Sequence, residues 1–222
     1  MLSELDLGAL PLERRARLEG SASRRGYDPR SPAVRRILGD VQLFLESPAG
    51  ERLAALARRG ALRREVPFVL RLDGDGATPA CYLTGAIDAL AEEPDGVSLV
   101  DFKYARARPG SAARHRFQLL AYALAASRAF PGRRVRTGLQ FLRGSCAAMD
   151  LTPAPEELER FAALVPRLAA GAFRGEGEHR SPAELARDEA RCRSEACGYV
   201  ARCHGALAQA HAGASPRPAR VL

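Results

Sequence analysis

Leu99-Val100-Asp101-Phe102-Lys103 holds the only lysine of a 222-residue chain; every other cation among its 34 Lys and Arg residues is an arginine. A chain rich in Ala and Arg, without Asn or Trp, has drifted to arginine wherever a generic positive charge suffices. The surviving lysine marks a place where a planar, permanently charged fork does not replace a compact ammonium of tunable pKa. The run is strand-like, and residues two apart on a strand share a face. Asp101 and Lys103 therefore point one way, while Val100 and Phe102 point the other, toward a core.

Upstream, Tyr82 to Leu90 reads as the partner strand, and Asp95-Gly96 is a hairpin turn signal between the two. Folding back about that turn carries Asp88 beside Asp101. Adjacent carboxylates repel, and a proton or a cation relieves the repulsion. A hard ion such as Mg²⁺, or Mn²⁺ in its place, binds through one or two carboxylates, keeps waters and takes phosphate oxygens as further ligands. Lys103 on the same face is placed to orient an attacking water or to balance negative charge developing on phosphorus oxygens.

The flanking elements build a frame for this pair. Ser31-Pro32 and Ser47-Pro48 are N-cap and N1 pairs that open helices running to about Leu45 and Arg59. Val66 to Leu72 reads as a first strand, with Pro67 near its start where a missing N–H is tolerated. Arg114 to Phe130 is an amphipathic helix in which Phe117, Leu120, Ala121 and Leu124 keep the helical period. On it Arg114, Gln118 and Tyr122 form one polar stripe, four residues apart. Val135 to Leu142 reads as a fourth strand and Pro155 to Ala172 as a helix. Ser181-Pro182-Ala183-Glu184 opens another helix with a capping-box pattern. The order is helices, then β-β-β-α-β, then helices: a mixed α/β fold around a small central sheet. Residues 1–60 form an N-terminal helical segment, 61–175 the core, 176–211 a Cys-containing helical segment and 212–222 a disordered tail.

The bulk properties limit the function classes. The net charge of +8 and pI near 9.8 favour a polyanionic partner. Arg106, Arg108, Arg114 and Arg116 surround the exit of the lysine strand and are candidates to hold a nucleic-acid backbone. Arg133, Arg134 and Arg136 read as solubilising charge. No apolar run approaches the roughly 18 residues that span a membrane, and the N-terminus is too acidic for a signal peptide; the expected location is the cytoplasm. Read singly, Asp101-Phe102-Lys103 is an ion pair at a strand edge, and Gln118 and Tyr122 are a wetted helix face.

Read together, Gly85-Ala86-Ile87-Asp88, Val100-Asp101-Phe102-Lys103 and Gln118-Leu119-Leu120-Ala121-Tyr122 resemble the PD-(D/E)XK nuclease superfamily. Within it they are most like the RecB/AddA-type nuclease domain at the C-terminus of UvrD-like helicases. Glu65-Val66-Pro67-Phe68 resembles the E-x-P-F stretch that precedes the first motif strand. The resemblance covers roughly residues 1–205 and rests on an ordered set of individually weak pieces. It implies a restriction-endonuclease-like core and a Mg²⁺-dependent deoxyribonuclease acting as an exonuclease. It further implies the nuclease module of a helicase–nuclease in DNA end processing and recombinational repair. Its implied partners are DNA and either a helicase motor or a partner subunit. By the same resemblance Asp88 and Asp101 are metal ligands, Lys103 is catalytic, and Gln118 and Tyr122 complete the site.

One departure qualifies this. The family usually carries a metal-binding histidine on an upstream helix, followed by a run like Leu-x-x-Leu-Asp. Met1-Leu2-Ser3-Glu4-Leu5-Asp6 resembles that following run, whereas the first histidine here is His115. The expectation is that this chain begins just past the motif, as a fragment, a late start or a degenerate copy. With Lys103 the only lysine, no Walker A lysine exists, so the chain hydrolyses no ATP by itself. The rival reading is a non-catalytic module that keeps the fold for DNA binding or complex assembly.

Cys192-x₄-Cys197-x₅-Cys203 is a compact cluster. It resembles the C-terminal cysteines of AddB-type nucleases, which with one distant cysteine hold a [4Fe–4S] cluster. Cys81 and Cys146 are the remaining cysteines for a fourth ligand. His204 offers a zinc site instead, and buried apolar thiols are the plain alternative.

Overall fold

The computed structural model describes residues 7–9, 11–108, 111–174 and 190. The run Met1 to Asp6, the helix expected from Ser181, Cys192, Cys197, Cys203, His204 and the tail from residue 212 lie outside the described residues. The chain divides into two compact units, Met1–Leu168 and Ala169–Leu222; the sheet and the site lie in the first.

Three helices lead: α1 (Pro11–Arg24), α2 (Pro32–Glu46) and α3 (Pro48–Arg58). Ser31 and Ser47 cap the last two, their hydroxyls accepting from the amides of Val34 and Gly50, with proline in each first turn. Helix α1 falls in the N-terminal segment expected to be helical, but no sequence signal sets its own bounds, and Arg14 shows why. Its side chain occupies a core position, where Nη1 donates to the Leu45 carbonyl at 2.8 Å and to Glu51 at 2.7 Å. An arginine in an apolar slot hides the helical period.

Five strands follow in the order β1-β2-β3-β4-β5: Leu62–Leu72, Cys81–Glu93, Gly96–Lys103, Val135–Phe141 and Ala148–Leu151. Only β3 and β4 run parallel, joined by helix α4 (Ser111–Ala129); helix α5 (Pro155–Arg174) ends the described run. This mixed sheet flanked by helices is compatible with the restriction-endonuclease-like fold. Strand β5 is an addition: four residues, half of them exposed, are too few to show a period. Among the described residues no helix is long and apolar enough to cross a membrane.

The sheet has a core on each face. On one, Leu90, Val97 and Leu99 pack with Leu120 and Leu124 of α4 and Phe161 of α5. On the other, Leu62, Ala91, Val100 and Phe102 pack with Leu18, Leu38, Phe44 and Leu53 of α1–α3. The expected opposition of Val100 and Phe102 to Asp101 and Lys103 holds.

The faces reverse within β1 and β2. Leu62 and Val66 are two full strand periods apart, yet they pack in different cores; Ile87 and Leu90 are an odd three residues apart, yet they share one. The slip falls at Glu65, whose φ of +48° is left-handed, and at the facing Asp88. One residue slips in each strand, so pairing keeps one register on both sides: Arg64 faces Ala89 and Val66 faces Ile87. The slip also explains why β1 begins at Leu62, four residues before its expected start. Pro67 is tolerated because β1 is an edge strand.

Two glycines are required by contacts. Gly85 pairs with Phe68 across β1–β2, and a Cβ on it would lie 2.8 Å from that ring. At Gly96 a Cβ would lie 2.3 Å from the Arg134 carbonyl. The hairpin turn is stitched by arginines that the sequence reading took as solubilising charge. Arg136 pairs with Asp95 at 2.7 Å, holding that carboxyl down to about 2, and Arg133 donates to the Gly96 carbonyl at 2.9 Å.

Two substitutions test this packing. Gly85→Ala pushes the Phe68 ring off its seat and costs about 2 kcal/mol in chemical denaturation. Glu65→Gly removes a left-handed non-glycine residue worth about 1 kcal/mol of strain, offsetting the usual glycine entropy. It should leave the denaturation midpoint near wild type, whereas Val66→Gly lowers stability by more than about 1 kcal/mol.

Candidate active site

Asp88 stands where β2 leaves β3. The last paired rung is Ala89 with Val100. One step on, the Asp88 side chain takes over, its Oδ2 accepting from the Phe102 amide at 2.9 Å. A carboxylate thus fills the place of a ladder carbonyl and is pinned at the strand edge, one residue from Asp101. The hairpin brings the two acids together as the sequence predicts, and the face slip falls at Asp88, whose charge acts on Tyr122 of α4.

Asp101 is 1% exposed. Lys103 lies on the same face, with Nζ 2.7 Å from Asp101 Oδ2. That buried oxygen has the ammonium as a charge partner but no hydrogen bond aligned on it. Burial pushes the Asp101 carboxyl above its ordinary range; the Lys103 ammonium opposes the shift and the Asp88 charge adds to it. Lys103 Nζ also donates to Gln118 Oε1 at 3.0 Å, and Gln118 Nε2 donates to Tyr122 Oη at 2.9 Å. Both α4 residues therefore reach the site. The direction of the relay matters: the Tyr122 oxygen accepts, so its own proton is free to be donated onward. Burial pushes the phenol up to about 12, with Asp101, Asp88 and Glu65 adding to the shift against the Gln118 hydrogen bond, and it stays protonated at neutral pH.

The relay is braced from behind. The Phe68 ring meets Tyr122 edge-on, with centroids 5.9 Å apart, and sits over Gly85. The glycine and phenylalanine of the two upstream motifs thus set the position of the tyrosine in the last.

Beyond Lys103 the strand ends open into a cavity of about 780 Å³. Arg106, Arg108 and Arg114 line it with Lys103, joined by Tyr104, His115 and Arg143, which the sequence reading did not place. Burial, with Lys103 and Arg114 nearby, lowers the His115 pKa. No carboxylate occurs among the described lining residues. Arg116 is placed differently, its guanidinium paired with Glu157 of α5. Tyr104 and Arg143 gave no sequence signal because only the parallel β3–β4 pairing brings them together. Cys81 and Cys146 are both free thiols, at the start of β2 and in the β4–β5 turn.

The two carboxylates suit a divalent cation. Among the described residues no three His, Cys, Asp or Glu side chains gather as a metal cage. A hard ion that keeps waters and substrate oxygens needs only one or two protein carboxylates. The Asp101 oxygen with no aligned donor, beside the pinned Asp88, fits that role.

The stretch Gln118–Tyr122 and both acidic strands fall inside residues 4–204, which match the family model of the PD-(D/E)XK nuclease superfamily. The chain is similar to the A-type subunit of the ATP-dependent helicase/nuclease of Acetivibrio thermocellus, 35% identical over 99 residues, covering 38% of this chain and 8% of the relative. It is also similar to the protein of that name from Moorella thermoacetica, 36% identical over 114 residues, covering 47% of this chain and 8% of the relative. The matches span a small fraction of either relative and are consistent with a RecB/AddA-type nuclease domain. The crystal structure of SSO0001 aligns over 82% of this chain and 79% of its own, with 19% identity and a TM-score of 0.41. On the family match over residues 4–204, the chain belongs to the PD-(D/E)XK nuclease superfamily.

Proposed function

We propose that this chain hydrolyses DNA phosphodiester bonds with a divalent metal ion, Mg²⁺ or Mn²⁺, as the exonuclease module of a helicase–nuclease. Its role would be DNA end processing and recombinational repair in the cytoplasm, beside a helicase motor or partner subunit. The observation that carries this reading is the single lysine, held between a buried Asp101 and Gln118 and facing an arginine-lined groove.

Asp88 and Asp101 would hold the cation. When bound it neutralises phosphate charge and lowers the pKa of water. The chain's own residues do the rest. The groove arginines bind the backbone and set its register. The Lys103 ammonium places a positive charge where charge develops on the phosphorus oxygens. Gln118 holds that ammonium on one side, Asp101 on the other, so its position is fixed before substrate arrives. The free Tyr122 proton is available to a water or a phosphate oxygen. Cys192, Cys197 and Cys203 are the proposed ligands of a [4Fe–4S] cluster or zinc, tested by iron and zinc content and visible absorbance of anaerobically purified protein.

The test is cleavage of linear single- and double-stranded DNA with Mg²⁺ or Mn²⁺. Wild type should cleave and lose activity in chelator. Lys103→Ala and Asp101→Ala should each fall at least about 100-fold while still binding DNA. Lys103→Arg should fail too, because a guanidinium is too wide for the gap between Asp101 and Gln118. Wild-type binding without cleavage would favour the non-catalytic module instead. Tyr122→Phe removes one donor and keeps the ring on Phe68; kcat should drop about 10-fold with KM little changed.

A further inference from the structure

Tyr104 directly follows the lysine, and neither the metal-binding acids nor the lysine relay makes use of it. Three contacts hold it still. Its hydroxyl donates to Asp40 Oδ2 of α2 at 2.8 Å. The Arg143 guanidinium lies 5.6 Å from the ring centroid. The backbone on either side is tied to the β4 exit: the Leu142 amide donates to the Lys103 carbonyl at 3.0 Å, and the Arg143 amide to the Ala105 carbonyl at 3.2 Å. An aromatic ring with this many restraints would ordinarily be core, yet Tyr104 is 42% exposed. It lines the same groove as Lys103, Arg106 and Arg114.

We propose that Tyr104, clamped by Asp40 and Arg143, is a stacking platform for one nucleobase beside the scissile phosphate, and that it positions the strand for Lys103. The inference rests on the nucleolytic reading of the same site and adds a residue to it. Groove arginines fix a backbone only along its charge and leave it free to slide. A base seated on a rigid ring supplies the missing register, and because every base has a π-face it does so without reading sequence. The guanidinium over the ring, itself 3.8 Å from Asp40, adds a planar cation at the same spot, suited to the adjoining phosphate. Rigidity matters here. A free tyrosine would lose rotamer freedom on stacking, whereas this one is already held by its hydroxyl.

Abasic scanning provides the test. A set of single-stranded oligonucleotides, each with one abasic position, is titrated against the full chain in chelator, and cleavage of the intact strand is followed separately with Mg²⁺. Wild type should show one position where base removal weakens binding about 10-fold or more, the other positions mattering little. Tyr104→Phe, which keeps the ring but loses the Asp40 anchor, should keep the dip at the same position with reduced depth. Tyr104→Leu, apolar without a π-face, should flatten it while its thermal melt stays close to that of Tyr104→Phe. A flat wild-type profile, or a Tyr104→Leu profile with the wild-type dip, overturns the platform. Metal-dependent cleavage with a flat profile sinks the platform and leaves the nuclease standing. A position-specific dip without cleavage does the reverse. No binding of any oligonucleotide overturns both.

Discussion

The pair that the rest of this structure serves is the buried contact between Asp101 and Lys103. Taking a carboxylate and an ammonium out of water costs several kcal/mol per ion, which their mutual attraction repays only with good geometry and added hydrogen bonds. Here repayment is partial: Asp101 is almost wholly buried, its carboxyl is pushed upward, and one of its oxygens lacks an aligned donor. A site that sits below its own best satisfaction can accept a cation. The surroundings keep it in that condition. Gln118 anchors the far side of the ammonium, Tyr122 anchors Gln118, Phe68 backs Tyr122, and Gly85 makes room for Phe68. Removing a link loosens the lysine, although the links themselves carry no charge.

A second constraint turns the sheet toward that pair. A regular β1–β2 hairpin would keep alternate residues on constant faces. The simultaneous slip at Glu65 and Asp88 exchanges the faces while the register is preserved. One half of the hairpin can then pack on α4 and the other on α1–α3, and the exchange happens at the row carrying the site. The left-handed Glu65 stores strain there, as backbone outliers at functional sites do. Gly85 and Phe68 lie on one side of the slip, the Asp95-Gly96 turn on the other.

Much of this was legible in the sequence. Ser-Pro caps announced α2 and α3, the Asp-Gly turn announced the hairpin, and spacings of two and four put Asp101 with Lys103 and Gln118 with Tyr122 on shared faces. Each of those signals is local: a cap, a turn or a period of two or four. What stayed hidden depends on a long-range exchange of roles. Arg14 fills a core position because Leu45 and Glu51, more than thirty residues away, satisfy it. The β1 start was masked because the slip at Glu65 breaks the alternation from which strands are read. Arg116 shares the local appearance of Arg114, and only the packing of α5 reveals that Glu157 pairs with it.

The charge of the chain is sorted along the sheet, and this gives the net positive value a direction. At the hairpin end Glu92, Glu93 and Asp95 are matched by Arg63, Arg52, Arg133 and Arg136. At the opposite end, where β3 and β4 finish, Lys103, Arg106, Arg114 and Arg143 line the groove; Asp101 and Asp40 pair with Lys103 and Arg143, but no acid lines the groove among the described residues. Neutralising one end concentrates the field of the other at the site of chemistry, and a groove with low-dielectric walls focuses it further. On the nucleolytic reading, a polyanion drawn in by that field finds the ammonium already held by Asp101. On that reading, capture of the backbone and placement of the reacting phosphate are a single event, and the one lysine lines the groove that performs both.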